Sequence, residues 1–276
     1  MSKLKISLFL LCFGLVAGTQ AQISGYPNVL SDELEQKPMW YIINVPITLP
    51  GAIGVTGQAQ YIKPNSLYGS LDAGVGYVFN LTQALVEEKN RNFKPMGSLE
   101  IGYALQIATR SNDRRLLTSE SVITSQGNSG TKIYKISVPH HVLFIPVAGL
   151  SYNPVSAKVG SKERYSTVLP ALNLGIKLLG VNRTKTALKD SKSGEVYRNT
   201  TQQMGGIYAG ASFALRNEIE VPNGFDSILK TEGPTFQFYG MMPGYLNSAG
   251  TFSFGIKSVP YEASGYQLFI GYHIYM

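Results

Sequence analysis

The sequence predicts an all-β protein: an antiparallel transmembrane β-barrel of 10–12 strands that follows a cleaved signal peptide. Apolar and polar residues alternate in one segment after another, which is the period of a strand with two different faces. The chain ends on such a segment, residues 266–276. After residue 21, no stretch approaches the roughly 18 consecutive apolar residues that indicate a membrane-spanning helix. Strands with one apolar face are therefore the element to expect.

The N-terminus has the three parts of a secretory signal peptide. Lys3 and Lys5 precede an apolar run at residues 6–16, and small residues follow at 17–21. The run is shorter than the roughly 20 residues that a spanning helix needs, which disfavours the alternative of an uncleaved anchor. We predict a signal peptide at 1–21, cleaved after Ala21.

Cysteine content narrows the chemistry of the mature chain. Cys12 is the single cysteine, and it lies inside the predicted signal peptide. A mature chain without thiols excludes disulfides, cysteine metal sites and cysteine nucleophiles. We predict no cofactor.

The barrel is predicted over residues 39–276, and alternation assigns an apolar, lipid-facing row to each strand. The first half has Tyr41, Ile43, Val45, Ile47 and Leu49, then Ile53, Val55, Ala59 and Tyr61, then Leu67, Leu71, Ala73, Val75, Tyr77 and Phe79, then Leu99, Ile101, Tyr103, Leu105 and Ile107. The second half has Tyr134, Ile136, Val138, Val142, Phe144, Ala148, Leu150 and Tyr152, then Val168, Leu172, Leu174, Ile176 and Leu178, then Ile207, Ala209, Ala211, Phe213 and Leu215, then Phe236 and Phe238, then Phe252, Phe254 and Ile256, then Tyr266, Leu268, Ile270, Tyr272, Ile274 and Met276. The last strand is expected to pair with the first.

Strand number depends on residues 131–152, which form either one long bent strand or two. Single-chain bacterial barrels have even strand numbers, so one strand here gives 10, and two strands with another one hidden give 12. Polar stretches are expected to be loops, among them residues 110–130 and 181–202. With ten strands both would be periplasmic, so we expect a hidden strand in one of them. Residues 22–38 are predicted to form a periplasmic lead-in or a short plug.

Charged and ionisable residues inside the strands are expected to face the lumen. Lys or Arg on the lipid face costs roughly 2 to 4 kcal/mol at the bilayer midplane. The candidates for lining the lumen are Asp72, Glu100, Lys135, Lys177 and His273. Because small barrels are filled by side chains, we favour an interior ion-pair network over a charged constriction that selects solutes.

Catalysis is not indicated by any motif. His140 and His141 point to opposite faces of a strand, which disfavours a shared metal ion. A catalytic His273 would need a serine and an orienting group on neighbouring strands, and no distinctive motif marks such a set. We therefore predict no catalytic, cofactor-binding or metal-binding residues and no enzymatic activity.

Three segments resemble small outer-membrane β-barrel proteins of Bacteroidota: residues 19–22 (TQAQ), 142–150 (VLFIPVAGL) and 270–275 (IGYHIY). The ending also resembles the C-terminal assembly signal of bacterial outer-membrane barrels. The resemblance implies location in the outer membrane, with both termini periplasmic. Expected partners are outer-membrane lipid, the barrel-assembly machinery through the C-terminal strand, and other envelope proteins, but not nucleic acid.

Three functions are then compatible with the sequence. The first is a non-enzymatic barrel that acts as a narrow channel or as a structural or accessory component of an envelope complex. The second is an outer-membrane lipid-modifying enzyme, which would carry a cluster of serine, histidine and acid near the outer rim. The third is a secreted β-sandwich that serves adhesion or binding. We favour the first.

Overall fold

The computed structural model describes residues 25–49, 51–79, 87–89, 93–123, 129–158, 163–190, 196–215, 218–220, 228–230, 233–243, 250–258, 260 and 266–276. The predicted signal peptide, residues 1–21, lies outside these ranges. Within them the regular structure consists of strands: β1 (Gly25–Asp32), β2 (Met39–Leu49), β3 (Gly51–Ile62), β4 (Ser66–Phe79), β5 (Glu87–Lys89), β6 (Phe93–Ile123), β7 (Ser129–Lys158), β8 (Glu163–Asp190), β9 (Val196–Ala214), β10 (Glu218–Glu220), β11 (Ile228–Lys230), β12 (Thr235–Pro243), β13 (Gly250–Ser258) and β14 (Tyr266–Tyr275). No helix in the described ranges has the length and apolar character needed to cross a membrane.

Ten of these strands close into an antiparallel barrel, which confirms the predicted all-β barrel fold with a strand number inside the expected range of 10–12. The order around the ring is β2, β3, β4, β6, β7, β8, β9, β12, β13 and β14. The last strand pairs with the first, as predicted, with Ile270 opposite Ile47 and Tyr275 opposite Ile42. β1 and β5 each pair with β8, and β10 pairs with β11 in a separate two-stranded sheet. A ring of paired strands leaves no open edge along the barrel.

The turn between β3 and β4 shows how a short connection is made. Asn65 has a φ of 52°, in the left-handed region that asparagine tolerates better than most residues. Its backbone N–H donates to the Ala104 carbonyl at 2.7 Å, and its side-chain oxygen accepts from the Gln106 N–H at 3.1 Å. These bonds tie the turn to β6.

The structure decides between the two strand numbers and corrects the predicted strand ends. Residues 131–152 belong to one strand, β7, which agrees with the ten-strand alternative. The polar stretches 110–130 and 181–202 are largely strand, because β6 runs to Ile123, β7 begins at Ser129, β8 runs to Asp190 and β9 begins at Val196. The additional barrel strand expected there is absent from the described residues. Ladder hydrogen bonds use only the backbone, so polar side chains on both faces do not end a strand.

The chain divides into two compact units. One comprises Leu30–Asn112, Val138–Lys185 and Thr200–Met276, and it contains the features discussed below. In its described part, the other comprises residues 25–29, 113–123, 129–137, 186–190 and 196–199. In the described part of that second unit the chain is strand.

Apolar side chains face outward along the barrel strands. Large exposed ones include Leu67, Leu71 and Val75 of β4, Leu99, Ile101, Tyr103, Leu105 and Ile107 of β6, Leu174, Ile176 and Leu178 of β8, Phe236 and Phe238 of β12, Phe252, Phe254 and Ile256 of β13, and Leu268, Ile270 and Ile274 of β14. These belong to the rows predicted to face away from the lumen. Val138 departs from its row, since only 1% of it is exposed.

A hydrophobic core fills the barrel interior at the end where β2 begins and β14 finishes, which we call the terminal end. It contains Trp40, Ile42, Ile62, Tyr68, Ala104, Leu143, Ile145, Val147, Leu179, Val181, Met204, Tyr208 and Tyr275. Leu34 completes the cluster from the segment that precedes β2. The edge of the Trp40 ring packs on Tyr275 with a centroid separation of 5.6 Å. The closing strands are thus joined by side-chain packing as well as by the ladder.

The segment before β2 is held to β8 by hydrogen bonds. The Glu33 N–H donates to the Arg183 carbonyl at 2.8 Å, and the Arg183 guanidinium donates to the carbonyls of Met39, at 2.6 Å, and Lys37. The same guanidinium lies 5.2 Å from the centre of the Trp40 ring. Lys37 Nζ lies 2.9 Å from the Glu33 carboxylate, and this hydrogen-bonded ammonium lowers the pKa of Glu33. These contacts anchor residues 33–39 beside the terminal-end core.

Candidate functional site in the barrel interior

The interior contains a cavity of about 160 Å³. Four of the residues predicted to line the lumen border it: Asp72, Glu100, Lys177 and His273. The fifth, Lys135, lies in β7, and its side chain is outside the described part of the structure. The structure therefore brings residues from four different strands to one internal space.

Polar lining residues lie between two groups of buried apolar residues. On β3, buried Thr56 and Gln60 lie between Ala52 and Ile62. On β8, Lys177 lies between Leu169 and Leu179. Inward-facing positions on both strands thus pass from apolar to polar to apolar. On these two strands the polar residues of the lumen are therefore flanked by apolar side chains towards both ends.

An ion pair occupies the centre of the polar layer. Lys177 Nζ contacts the Glu100 carboxylate and donates to the Tyr68 hydroxyl at 2.8 Å. The Tyr68 hydroxyl in turn donates to Glu100 Oε2 at 3.2 Å and accepts from Gln60 Nε2 at 2.8 Å. Tyr208 lies near the ammonium, whose Nζ is 5.8 Å from its ring centre, which suits a cation–π contact. Paired charges with further hydrogen bonds are the form in which proteins bury ions.

A second chain of hydrogen bonds crosses the three strands at the barrel closure. His273 of β14 lies between Ser253 of β13 and Asn44 of β2. Its Nε2 is 2.8 Å from Ser253 Oγ, and its Nδ1 is 2.5 Å from Asn44 Oδ1. Ser253 and Asn44 are buried, and all three residues border the cavity. Two consecutive hydrogen bonds thus connect a serine, a histidine and an amide.

A third cluster consists of amides around a serine. Ser151 Oγ accepts from Asn153 Nδ2 at 2.9 Å and from Asn173 Nδ2 at 2.8 Å. The Asn173 oxygen accepts from Gln237 Nε2 at 3.3 Å. Ser151 borders the same cavity as Ser253 but has no histidine among these partners.

His141, one of the two adjacent histidines, is hydrogen-bonded to neighbouring side chains. His141 Nε2 lies 2.6 Å from Asp32 Oδ2, and its Nδ1 lies 3.2 Å from Gln106 Oε1. The residues that the structure describes contain no cluster of three or more histidine, cysteine, aspartate or glutamate side chains suited to a metal ion.

The alternation of residues in the sequence identifies His273 as lumen-facing but does not single out its two partners. Ser253 and Asn44 both fall on inward faces by alternation, and β14 was expected beside the first strand. The missing information was register: Thr251 lies opposite His273 in one ladder, and Asn44 lies opposite it in the other. The available signal in the sequence is the set of inward-facing serines and amides on the two strands beside β14, which includes Ser253 and Asn44.

Comparisons with models of protein families, with curated protein sequences and with solved structures find no match for this chain.

Proposed function

We propose that this protein is an outer-membrane β-barrel with an occluded lumen, which serves as a structural or accessory component of the envelope instead of an open channel. One observation carries the proposal: the barrel presents apolar side chains outward on its strands while a separate hydrophobic core fills part of its interior. The outward apolar surface calls for an apolar environment, and the inner core argues against a water-filled pore.

The outer surface supports a membrane environment. Large apolar side chains are exposed on neighbouring strands, for example Leu71 of β4 beside Leu99 of β6, and Phe254 of β13 beside Ile270 of β14. Soluble monomers rarely expose contiguous apolar patches larger than a few hundred Å². An apolar outer band with alternating inward residues is the pattern of transmembrane barrels.

The interior supports occlusion. Small barrels are filled by side chains, and only larger ones leave a channel. Here the terminal-end core spans the interior with residues from most of the ring strands, including Trp40 of β2, Leu143 of β7 and Tyr208 of β9. Solutes would have to displace packed side chains in order to pass.

The proposed setting also defines the partners. Outer-membrane lipid would contact the exposed rows, and the assembly machinery would engage the C-terminal strand. Envelope proteins are the partners expected of an accessory component. The predicted signal peptide would direct export, leaving both termini in the periplasm.

Location is tested by fractionating cells that express the full chain. The protein is expected in the outer-membrane fraction, and its migration in detergent gels should change on heating. A protein that purifies as a detergent-independent soluble monomer would rule the proposal out.

Occlusion is tested by planar-bilayer recording of the purified, folded protein. We expect no defined current steps, while a porin reconstituted in parallel shows that the bilayers register channels. Regular steps of constant conductance would contradict an occluded lumen without contradicting membrane location.

A further inference from the structure

The hydrogen-bond chain from Ser253 to Asn44 has the arrangement of an activated nucleophile. In such sites a serine hydroxyl contacts a histidine, and a third group orients the imidazole through its other nitrogen. The Ser253 Oγ to His273 Nε2 distance of 2.8 Å and the His273 Nδ1 to Asn44 Oδ1 distance of 2.5 Å fit these roles. Three adjacent strands of a closed sheet hold the three side chains.

Further hydrogen bonds select the tautomer of His273. Asn44 Nδ2 donates to Gln58 Oε1 at 3.3 Å, and Gln58 Nε2 donates to Ser70 Oγ at 2.8 Å. This direction turns the Asn44 oxygen towards His273, so Nδ1 carries the proton and donates. Nε2 is then unprotonated and accepts from the Ser253 hydroxyl. That is the tautomer a general base requires.

Space beside the hydroxyl is preserved by a glycine. Gly271 faces Ser253 across the β13–β14 ladder, and a Cβ at residue 271 would lie only 2.5 Å from Ser253 Oγ. The cavity of about 160 Å³ reaches Ser253 and is bordered by apolar Met204 and Met241 as well as by polar groups. A space of this size suits a short acyl group, not a long lipid chain.

We propose that Ser253 is a nucleophile that cleaves small carboxylic esters, with His273 as its general base and Asn44 as a positioning residue. This activity goes beyond the proposed role of the barrel in the envelope. The Ser253 oxygen bonds to the ester carbonyl carbon while its proton passes to His273 Nε2. The bond from that carbon to the alcohol oxygen breaks, and the alcohol takes the proton. Water then attacks the acyl-serine by the same route, which yields the carboxylic acid and the free serine.

The experiment uses the purified, folded full chain with two small probes. Diisopropyl fluorophosphate is expected to label Ser253, located by mass spectrometry, with release of fluoride. p-Nitrophenyl acetate is expected to be hydrolysed at a rate that falls as His273 becomes protonated at low pH. Ser253→Ala should abolish both signals, and His273→Gln should lower the rate about 10²- to 10⁴-fold.

Two variant pairs separate catalysis from structure. Asn44→Asp, which keeps an acceptor for Nδ1–H, should preserve hydrolysis, whereas Asn44→Leu should lose it. Ser212→Ala is the matched control, because this serine of β9 is also buried but does not border the cavity, so labelling should be unchanged. Each variant is checked for heat-modifiable migration, so that misfolded protein is not scored.

The proposal is overturned if the folded wild-type chain is not labelled at Ser253. Labelling that Ser212→Ala removes as effectively as Ser253→Ala would overturn it too. Neither result bears on outer-membrane location or on bilayer conductance, which are measured independently.

Discussion

Lys177 places a charge inside the barrel and is stabilised there by its neighbours. Its ammonium contacts the Glu100 carboxylate and the Tyr68 hydroxyl, and both charged side chains are largely shielded from solvent. Removing one member of such a pair leaves the other buried and uncompensated, whereas replacing both by neutral groups of similar volume is much less damaging.

We therefore expect Lys177→Met to lower the free energy of unfolding by about 3 to 5 kcal/mol. The double variant Lys177→Met/Glu100→Gln should recover a large part of that loss, because Glu100 no longer needs a counter-charge. Urea unfolding of the refolded proteins gives the four free energies of the double-mutant cycle. Additive effects of the two single changes would show that the pair is not coupled.

Strand β4 allows a depth test of the apolar outer surface. Leu71 and Leu67 share its outward face, with 55% and 70% of their surface exposed, and Leu67 lies beside the turn at the terminal end. Successive residues on one face of a strand are about 6.6 Å apart, so the two side chains sample different depths.

If the barrel spans a bilayer, Leu71→Arg should cost about 2 to 4 kcal/mol of unfolding free energy, and Leu67→Arg about 0 to 1 kcal/mol. The difference arises because arginine near the interface keeps its guanidinium hydrated. Unfolding in lipid vesicles by denaturant titration measures both. Equal small costs would argue against a membrane around this strand.

The sequence predicts which segments form strands better than it predicts the residues at which those strands begin and end. Alternation identified the exposed faces because each apolar row, such as Leu99 to Ile107, repeats every two residues against polar or small neighbours. The same criterion failed for the ends of β6 to β9, where residues such as Arg110 and Thr184 continue a ladder that depends on backbone pairing. Because ladder hydrogen bonds join backbone groups, the pattern of apolar and polar side chains does not show where these strands end.

At the scale of the whole molecule, β14 completes the ring. Its ladder with β2 extends from Leu268–Leu49 to Tyr275–Ile42, and the Met276 N–H donates to the Tyr41 carbonyl at 2.9 Å. Without β14, both β2 and β13 would have an unpaired edge.

Deleting residues 266–276 should therefore abolish the heat-modifiable band and yield aggregated protein, because open edges pair with other chains. Deleting Met276 alone keeps the ladder and should leave the band intact. Gel migration before and after heating compares the two chains. A heat-modifiable band from the longer deletion would mean that the barrel closes without its last strand.

The candidate site depends on how strands that are distant in the sequence pair, which the sequence alone does not reveal. Ser253 and His273 come from one hairpin, but Asn44 joins them only through ring closure. Which inward residue of β2 meets His273 depends on register, and a shift of one residue would replace Asn44 by an outward-facing neighbour. Local patterns do not contain that information.

The β14–β2 pairing also has a consequence for the order of events during folding. It joins residues from opposite ends of the chain, so it cannot form before the last strand has been synthesised. Contacts between such distant residues slow folding. Every folding intermediate that precedes closure has two unpaired strand edges, which can pair with other chains. The period before closure is thus when the chain is most prone to aggregate. The rate at which β14 pairs with β2 would therefore show how long a chaperone has to shield the unpaired edges from aggregation.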